Sequence, residues 1–266
     1  MVAVVPISDK PTGIQWHHGM SGVVVEAPDL TVIKRPFPGE AFKAQLEVER
    51  RIYKRLGQHP YITKFITAHS NEIVLERLQY PLRKRLLELR GNNERPAVRT
   101  ILRWACQIAQ AFSHVHSRGV LQVDIGTYNV LLDWNEDVKL CDFAGSSLDG
   151  SEPMVAPSAH STHPRLSITH PSIRSELFAV GSMLYEIETT YEPYNDKNDG
   201  ELEELFDADQ YPEVENLTLG EVITKCWTAQ YVDAGEIVTD IDQIEQRLKD
   251  SIPKSMAIGL RKANPS

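Results

Sequence analysis

Three polar side chains stand at fixed intervals near the middle of this chain. Asp124 is followed five residues later by Asn129, and Asp142 comes thirteen residues after that. The stretches 130–132 (Val-Leu-Leu) and 138–140 (Val-Lys-Leu) between them predict two short apolar strands. Carboxylate and amide oxygens can bind a hard metal ion, and a carboxylate can also accept a proton. A single Asp or Asn is common in turns, whereas this joint spacing beside two strands predicts a chemical site.

Length, charge and cysteine content limit the classes of protein to which the chain can belong. Its 266 residues form one large domain or two small ones, and 41% are hydrophobic, enough for a sizeable core. The net charge of −9 argues against nucleic acid or an anionic membrane as the main partner. The three cysteines are widely spaced and odd in number, which indicates a reducing compartment without a disulfide framework or zinc site. We see no signal peptide or membrane span, so we expect an intracellular, cytoplasmic protein with no nucleic-acid and no membrane partner.

Hydrophobic periodicity divides the chain into a β-rich part and a helical part, with the boundary near residues 78–81. The first part predicts strands and one helix, at 22–26, 30–34, 73–78 and, for the helix, 42–56. The second part predicts helices at 98–116, 178–187, 220–232 and 241–248. Residues 146–174 are rich in Ser, Pro, His and Thr without a period, which predicts a mobile or functional segment. The predicted fold class is α+β, with a small β-rich lobe followed by a larger helical lobe.

The central segment resembles the catalytic loop and the magnesium-binding motif of eukaryotic-type protein kinases. Residues 122–124 read Gln-Val-Asp where the family has His-Arg-Asp, and residues 142–144 read Asp-Phe-Ala where it has Asp-Phe-Gly. The resemblance implies a two-lobed protein-kinase-like fold that uses ATP and Mg²⁺. It also implies that Asp124 is the catalytic residue facing the substrate hydroxyl, while Asn129 and Asp142 bind the metal.

An ion pair in the first lobe is implied by the same resemblance. Lys34 ends a Thr-Val-Ile-Lys strand, which resembles the Val-Ala-Ile-Lys signature whose lysine holds the α- and β-phosphates of ATP. Glu49 lies on the apolar face of the 42–56 helix, where an unpaired charge is costly, and Glu47 is rotated off that face. We therefore expect Lys34 and Glu49 to pair and to belong to the catalytic site.

The remaining ATP contacts are implied by two weaker similarities. Residues 17–24 read His-His-Gly-Met-Ser-Gly-Val-Val and resemble the glycine-rich loop of the family, with a histidine in place of the first glycine. The end of the 73–78 strand stands where the hinge between the lobes offers backbone hydrogen bonds to adenine. The implied ATP-binding residues, besides Lys34, are Gly19, Gly22, Val24, Glu76 and Leu78.

The resemblance extends over most of the chain and implies its domain boundaries. We expect an N-terminal tail at 1–12, a kinase domain at 13–248 with lobes at about 13–78 and 81–248, and a C-terminal tail at 249–266. In size and in its shortened activation segment, the chain resembles small, divergent kinase-like proteins of filamentous fungi. Late in the second lobe, Ala234 and the 163–165 stretch (His-Pro-Arg) replace both partners of a structural Arg–Glu pair. Losing both partners can be nearly neutral, which makes the chain a coherent variant of the fold.

Two departures in the catalytic loop leave the activity open between three functions. Gly126 stands where Ser/Thr kinases carry a lysine, and Tyr128 where tyrosine kinases carry an arginine. The loss of such a charge contact costs about 3 kcal/mol, roughly a hundredfold in rate. The first function is a serine/threonine protein kinase with an unknown protein substrate. The second is a pseudokinase that binds nucleotide or partners with little or no transfer, and the third is a small-molecule phosphotransferase of the aminoglycoside-kinase type.

Regulation by phosphorylation of the activation segment is not expected. The arginine that usually receives a phosphorylated residue is replaced by Val123, which offers neither charge nor hydrogen bond. Polar residues in the mobile segment are open to modification without their usual receiver; these are Ser146, Ser147, Ser151 and Thr162. Arg165 and Arg174 are the possible substitute receivers.

Overall fold

An antiparallel sheet of five strands forms the first lobe of the protein. The computed structural model describes residues 16–19 and 21–251. The strands are β1 (Trp16–His18), β2 (Gly22–Ala27), β3 (Thr31–Pro36), β4 (Phe65–His69) and β5 (Glu72–Glu76), in the order β1-β2-β3-β5-β4. The register sets Lys34 of β3 between Val24 of β2 and Ile73 of β5. Lys34 therefore occupies the central strand of the sheet.

One helix, α1 (Glu40–Leu56), packs against this sheet and confirms the predicted 42–56 helix. Its buried side chains recur at helical spacing and are Leu46, Glu49, Ile52, Tyr53 and Leu56. Glu49 is the one carboxylate in this apolar set. The fold therefore buries a charge beneath the sheet, on the side where Lys34 lies.

Two short sheets join the lobes and hold the central loops. After the connection at 77–79 come β6 (Tyr80–Pro81), β7 (Val120–Leu121), β8 (Val130–Leu132), β9 (Val138–Leu140) and β10 (Ser147–Leu148). The first small sheet has the order β6-β8-β9, and the second pairs β7 with β10. The loop between β7 and β8 and the turn after β9 are thus fixed at both ends. Both predicted strands, 130–132 and 138–140, are confirmed.

Helices make up the rest of the second lobe. They are α2 (Leu82–Gly91), α3 (Val98–Ser117), α4 (Ile173–Thr189), α5 (Asp199–Asp207), α6 (Gly220–Trp227) and α7 (Ala234–Ser251). Helix α4 is buried nearly all round and packs against α3 and α6. The predicted helices at 98–116 and 178–187 are confirmed, as is the layout of a small β-rich lobe and a larger helical lobe.

The predicted helix 220–232 is wrong at its end, because α6 stops at Trp227. Ala229 has a φ of 53°, and Gln230 N–H donates back to the carbonyl of Lys225 at 2.9 Å, which closes the helix with a left-handed turn. Helix α7 begins earlier and ends later than the predicted 241–248. Its first turn is stabilised by Asp233, whose carboxylate accepts from the amide of Gly235 at 2.7 Å.

Among the elements not predicted from the sequence are α2, α5 and β4. Helix α2 buries only Leu82 and Leu86, and α5 buries only Leu202 and Phe206. Two apolar side chains give too little periodicity to distinguish a helix from a polar loop.

The segment 146–174 is more ordered than the prediction of a mobile stretch, which is wrong for several of its residues. Ser146 and Ser147 are buried, and the hydroxyl of Ser146 donates to the carbonyl of Gln122 at 2.9 Å. Ser161 is also buried and donates to the carbonyl of Ile125 at 3.0 Å. Lacking a hydrophobic period, the segment is held by polar contacts with the central loop.

None of the helices within residues 16–19 and 21–251 is both long and apolar enough to cross a membrane. The predicted tail at 1–12 lies outside the described residues. The predicted C-terminal tail begins at 249, whereas α7 continues to Ser251, and 252–266 lie outside the described residues.

Candidate active site

A buried lysine joins both lobes at the centre of the site. The ammonium of Lys34 lies 2.7 Å from the Oε2 atom of Glu49 and 2.7 Å from the Oδ1 atom of Asp142. Glu49 is fully buried and Lys34 is 5% exposed. Glu47 instead faces outward and pairs with Arg50. The structure thus brings together the lysine, the helix carboxylate and the aspartate after β9.

Burial sets the charge balance of this cluster. Burial raises the pKa of Glu49 to about 7, although Lys34 opposes the shift. Burial lowers the pKa of Lys34, but Asp142 and Glu49 outweigh it, so the net shift is upward and the ammonium is charged. Burial alone would raise the pKa of Asp142. Lys34 and the amide of Ala144 lower it by more, so the net shift of this pKa is downward. Asp142 is therefore ionised beside a permanent cation.

The position of Asp142 is set by its left-handed backbone conformation and by the buried ring of Phe143 beside it. Its φ is 57°, a left-handed conformation that aspartate tolerates, and its Oδ1 accepts from the amide of Ala144 at 3.2 Å. Phe143 is fully buried and packs edge to face on Tyr53 of α1, with ring centroids 5.3 Å apart. The position of Asp142 is thus coupled to α1, the helix that carries Glu49. Ala144 in place of the usual glycine is tolerated because its own φ is negative.

Asp124 lies in the loop between β7 and β8, and each of its carboxylate oxygens has a donor. Asn129 Nδ2 donates to Oδ2 of Asp124 at 3.1 Å and to its backbone carbonyl at 2.9 Å. The phenol of Tyr128 donates to Oδ1 at 2.5 Å. Burial raises the pKa of Asp124, while Tyr128 and Asn129 oppose the shift. The carboxylate is thereby oriented and made a stronger base than an ordinary aspartate.

Hydrogen bonds to residues far away in the sequence, which the sequence analysis did not predict, also hold this loop. Val123 has a φ of 70°, a strained conformation for a β-branched residue, and its amide donates to Oε1 of Glu176 at 2.6 Å. The other oxygen of Glu176 lies 2.8 Å from Nε2 of His116. Gln122 reaches the other side and donates to the carbonyl of Cys141 at 2.8 Å. A carboxylate at position 176, just before the apolar stretch of the predicted 178–187 helix, was the one signal for these contacts in the sequence.

Magnesium would fit the oxygen atoms left over at Asp142 and Asn129. Both donor hydrogens of the Asn129 amide go to Asp124, so its carbonyl oxygen is available as a ligand. Oδ2 of Asp142 has no hydrogen-bond partner among the described residues, and the side chain is 33% exposed. Two hard oxygen ligands suit a cation that keeps waters and substrate phosphates as its other ligands. No cluster of three His, Cys, Asp or Glu side chains suited to a metal occurs within 16–19 and 21–251.

The glycines of the predicted phosphate loop are placed by the sheet. A Cβ atom on Gly22 would lie 2.1 Å from the carbonyl oxygen of Arg35, so the close approach of β2 and β3 requires glycine there. Gly19 is exposed, and its amide donates to the carbonyl of Gly22 at 2.9 Å. Val24 lies two residues further along β2, opposite Lys34. The requirement for Gly22 is thus structural, independent of any phosphate.

The predicted hinge lies between the two lobes. Glu76 ends β5, and its carboxylate accepts from the ammonium of Lys139 at 2.8 Å and from the amide of Lys64 at 2.7 Å. Leu78 lies in the connection, and its backbone groups have no hydrogen-bond partner among residues 16–19 and 21–251. The side chain of Glu76 is thus engaged, and the backbone of Leu78 is open to a ligand.

The lost Arg–Glu pair of the second lobe is replaced by other contacts. Ala234 is fully buried at the start of α7. Arg165 turns to Asp209 and binds its carboxylate through two nitrogens. His163 is buried beside Phe178, with ring centroids 5.1 Å apart. Apolar and surface contacts therefore hold the end of the activation segment, consistent with the loss of both charges.

Comparisons with a family model and with individual known proteins all point to protein kinases. A family model described as the protein kinase domain matches residues 26–244. The chain is 27% identical over 254 residues to serine/threonine-protein kinase CTR1 of Arabidopsis thaliana, which covers 90% of this chain and 30% of that protein. It is 23% identical over 238 residues to serine/threonine/tyrosine-protein kinase HT1 of the same plant, covering 84% of this chain and 60% of that protein.

A bacterial relative extends the same family. A probable serine/threonine-protein kinase of Clostridium acetobutylicum is 25% identical over 191 residues, which cover 66% of this chain and 29% of that protein. The chain thus spans 30%, 60% and 29% of the lengths of CTR1, HT1 and the bacterial protein. The family match, however, covers most of the chain, including both lobes and the cluster around Lys34, so the chain belongs to the protein kinase domain family.

Proposed function

We propose that this protein is an ATP- and Mg²⁺-dependent kinase that transfers the γ-phosphate to a serine or threonine hydroxyl of a protein. The observation that carries the proposal is the buried Lys34 in contact with both Glu49 and Asp142. Buried ion pairs contribute little net stability, so such a cluster in a cleft supports a functional role. Phosphoryl transfer requires mainly fixed charges and positioning, which these residues supply.

Each side chain has a distinct part in this mechanism. Lys34 neutralises phosphate charge, and Glu49 fixes the direction of its ammonium. Asn129 and Asp142 would hold Mg²⁺, which when bound neutralises and orients the phosphates. Asp124 accepts or orients the proton of the substrate hydroxyl, for which its raised pKa is suited. Gly19, Gly22, Val24, Glu76 and Leu78 line the proposed ATP site.

Serine or threonine is the proposed acceptor because the names of the similar kinases include serine/threonine specificity. The name of HT1 also includes tyrosine, so an amino-acid analysis of the phosphorylated product belongs to the test. We also propose an intracellular location. It is supported by the absence of disulfides among Cys106, Cys141 and Cys226.

A binding titration and a transfer assay together test the proposal. ATP is titrated with and without Mg²⁺, and transfer is measured to the protein itself and to general protein substrates. In Asp124→Asn, transfer should disappear while the affinity for ATP stays within about threefold, since the base acts on the substrate hydroxyl. Transfer that survives Asp124→Asn would show that the base lies elsewhere.

A pseudokinase is the second candidate, and one observation favours it. Gly126 leaves the loop without the cation that ordinarily faces the transferred phosphoryl group. Arg83, whose guanidinium lies 5.3 Å from the ring centroid of the loop residue Tyr128, is paired with Glu186 and Glu192. Binding of ATP with no turnover in the wild type would favour this function. Phosphate on a metabolite with none on protein would point instead to a small-molecule phosphotransferase.

A further inference from the structure

The ring of Tyr128 fills the space where a side chain at position 126 would begin. A Cβ atom on Gly126 would lie 2.2 Å from Cε1, 2.6 Å from Cζ and 2.8 Å from Cδ1 of Tyr128. The φ of Gly126 is −175°, an extended conformation that any residue adopts. Glycine is therefore required at 126 by the tyrosine ring and not by the backbone. The ring of Tyr128 can lie in this position only because residue 126 has no side chain.

The phenol of Tyr128 reaches the reacting carboxylate. It donates to Oδ1 of Asp124 at 2.5 Å, while Asn129 holds Oδ2 at 3.1 Å. Burial raises the pKa of the Tyr128 phenol, and the charge of Asp124 raises it further. The hydroxyl is therefore a neutral, permanently protonated donor at physiological pH.

Arg83 and two glutamates form a charged network against the ring of Tyr128. The guanidinium of Arg83 lies 5.3 Å from the ring centroid of Tyr128. Arg83 is itself held by Glu186, at 3.1 Å, and by Glu192. Glu186 also accepts from the hydroxyl of Thr127, the loop residue beside Gly126, at 2.8 Å. With two carboxylate partners, Arg83 is held against the ring of Tyr128.

We propose that Tyr128 is a positioning residue of phosphoryl transfer, which orients the Asp124 carboxylate in place of a side chain at position 126. The inference rests on the proposed kinase function. It explains how a loop with Gly126 keeps its base in place: a neutral phenol holds Asp124, and Arg83 backs the phenol. The same contact fixes the direction of one carboxylate oxygen of Asp124, while Asn129 fixes the other.

The first experiment removes only the hydroxyl, with Tyr128→Phe. A hydrogen bond to an ionised group predicts a fall in kcat of about tenfold to a hundredfold, with the KM for ATP within about twofold. A merely structural role would not lower kcat while leaving the KM for ATP in place. Unchanged or increased kcat would overturn the proposal, and an increase would show that Tyr128 obstructs the substrate hydroxyl.

Tyr191→Phe is the matched control in the same lobe. Its ring also lies under an arginine, with Arg90 at 4.2 Å from the centroid. Its hydroxyl has no hydrogen-bond partner among the described residues. The control should change neither kcat nor the KM for ATP.

A second readout separates this proposal from the proposed function. The orientation of the Asp124 carboxylate is compared between crystal structures of the wild type and of Tyr128→Phe. A rotated carboxylate in Tyr128→Phe supports the positioning role even if the wild type transfers no phosphate, and an unchanged orientation overturns it. Absence of transfer in the wild type contradicts the kinase function alone.

An exchange of side chains tests the shared space. Gly126→Ala should lower kcat in the wild type, because its Cβ displaces the ring, and should have little effect in Tyr128→Ala, where the ring is gone. Gly126→Lys combined with Tyr128→Ala should recover transfer relative to Tyr128→Ala, since a lysine can enter the vacated volume. Equal effects of Gly126→Ala in both backgrounds would overturn the coupling.

Discussion

Arg55 and Asp149 form a two-pronged ion pair between α1 and the activation segment. Nη1 lies 2.8 Å from Oδ1, and Nη2 lies 2.8 Å from Oδ2. Arg55 is in the last turn of α1, six residues from the buried Glu49, and Asp149 directly follows β10. A second contact, from Gln45 to the carbonyl of Met154 at 3.2 Å, joins the same two elements. The position of Glu49 is therefore linked to the activation segment by contacts at the surface.

Asp149→Ala is expected to lower kcat/KM by about two- to fivefold and to leave the melting temperature nearly unchanged, as is usual for exposed pairs. The effect should shrink as salt is added, because exposed charges are screened. Steady-state kinetics at low and high salt measures it. Glu40→Gln removes another exposed pair of α1, with Lys43, and should have no effect. Equal losses in both variants would contradict a specific link to the activation segment.

Glu49→Gln should impair both stability and transfer. Removing one partner of a buried ion pair costs about 3–5 kcal/mol, and the lower end is expected here because Asp142 still faces Lys34. Transfer should fall at least about tenfold, since the direction of the Lys34 ammonium is lost. Denaturant unfolding and kinetics are compared with Glu47→Gln, whose exposed pair with Arg50 contributes little. Similar behaviour of the two variants would show that Glu49 has no special role.

Asp142→Ala should remove the effect of Mg²⁺ on ATP binding. In the wild type, Mg²⁺ is expected to tighten ATP, because Asp142 Oδ2 and Asn129 are the proposed ligands. The variant keeps Lys34 and Glu49 and should bind ATP equally with and without the metal. Thermal shift and calorimetric titration at several Mg²⁺ concentrations measure this. Stabilisation by ATP that is independent of Mg²⁺ in the wild type and unchanged in the variant counts against the metal assignment.

The activity should have an acid limb at a pH above the ordinary aspartate pKa. Burial raises the pKa of Asp124, although Tyr128 and Asn129 oppose it. Only the deprotonated base is active, so kcat/KM should be constant above this pKa and fall as the pH drops through it. The profile is recorded together with circular dichroism and ATP affinity, so that unfolding or weaker binding is not mistaken for titration. A limb at or below about pH 4 would contradict the prediction.

If the enzyme is active, phosphatase treatment should leave its activity unchanged. Val123 occupies the usual receiver position, and Arg165, a possible substitute, already binds Asp209. Ser146 and Ser147 are buried and hydrogen-bonded, which removes them as accessible targets. Activity is measured before and after treatment. A large loss that Ser151→Ala, Thr162→Ala and Arg165→Ala reproduce would show that phosphorylation of the segment is the switch.

Long apolar periods made α1, α3 and α4 predictable, because each buries a continuous face against its own lobe. Helices α2 and α5 were not predicted, because each buries only two side chains. The ends of α6 and α7 depend on the left-handed Ala229 and on the cap at Asp233, neither of which changes the hydrophobic pattern. The ordered course of 146–174 depends on single hydroxyl contacts with distant carbonyls. The narrower resemblance to small fungal proteins, the domain limits and the roles of the site residues stay predictions.

The amino-acid sequence by itself determined the two-lobed layout, the family and the spacing of Asp124, Asn129 and Asp142, because these follow from local periodicity and short motifs. Only the tertiary structure decided which groups meet across the cleft. Lys34 finds Asp142 as well as Glu49, and Tyr128 occupies the space that Gly126 leaves open. The physical reason is that hydrogen bonds and ion pairs extend only about 3–4 Å, so they depend on where packing brings side chains from separate elements. A glycine that looks like a lost function in the sequence is, in the folded chain, the condition for placing the Tyr128 phenol against the Asp124 carboxylate.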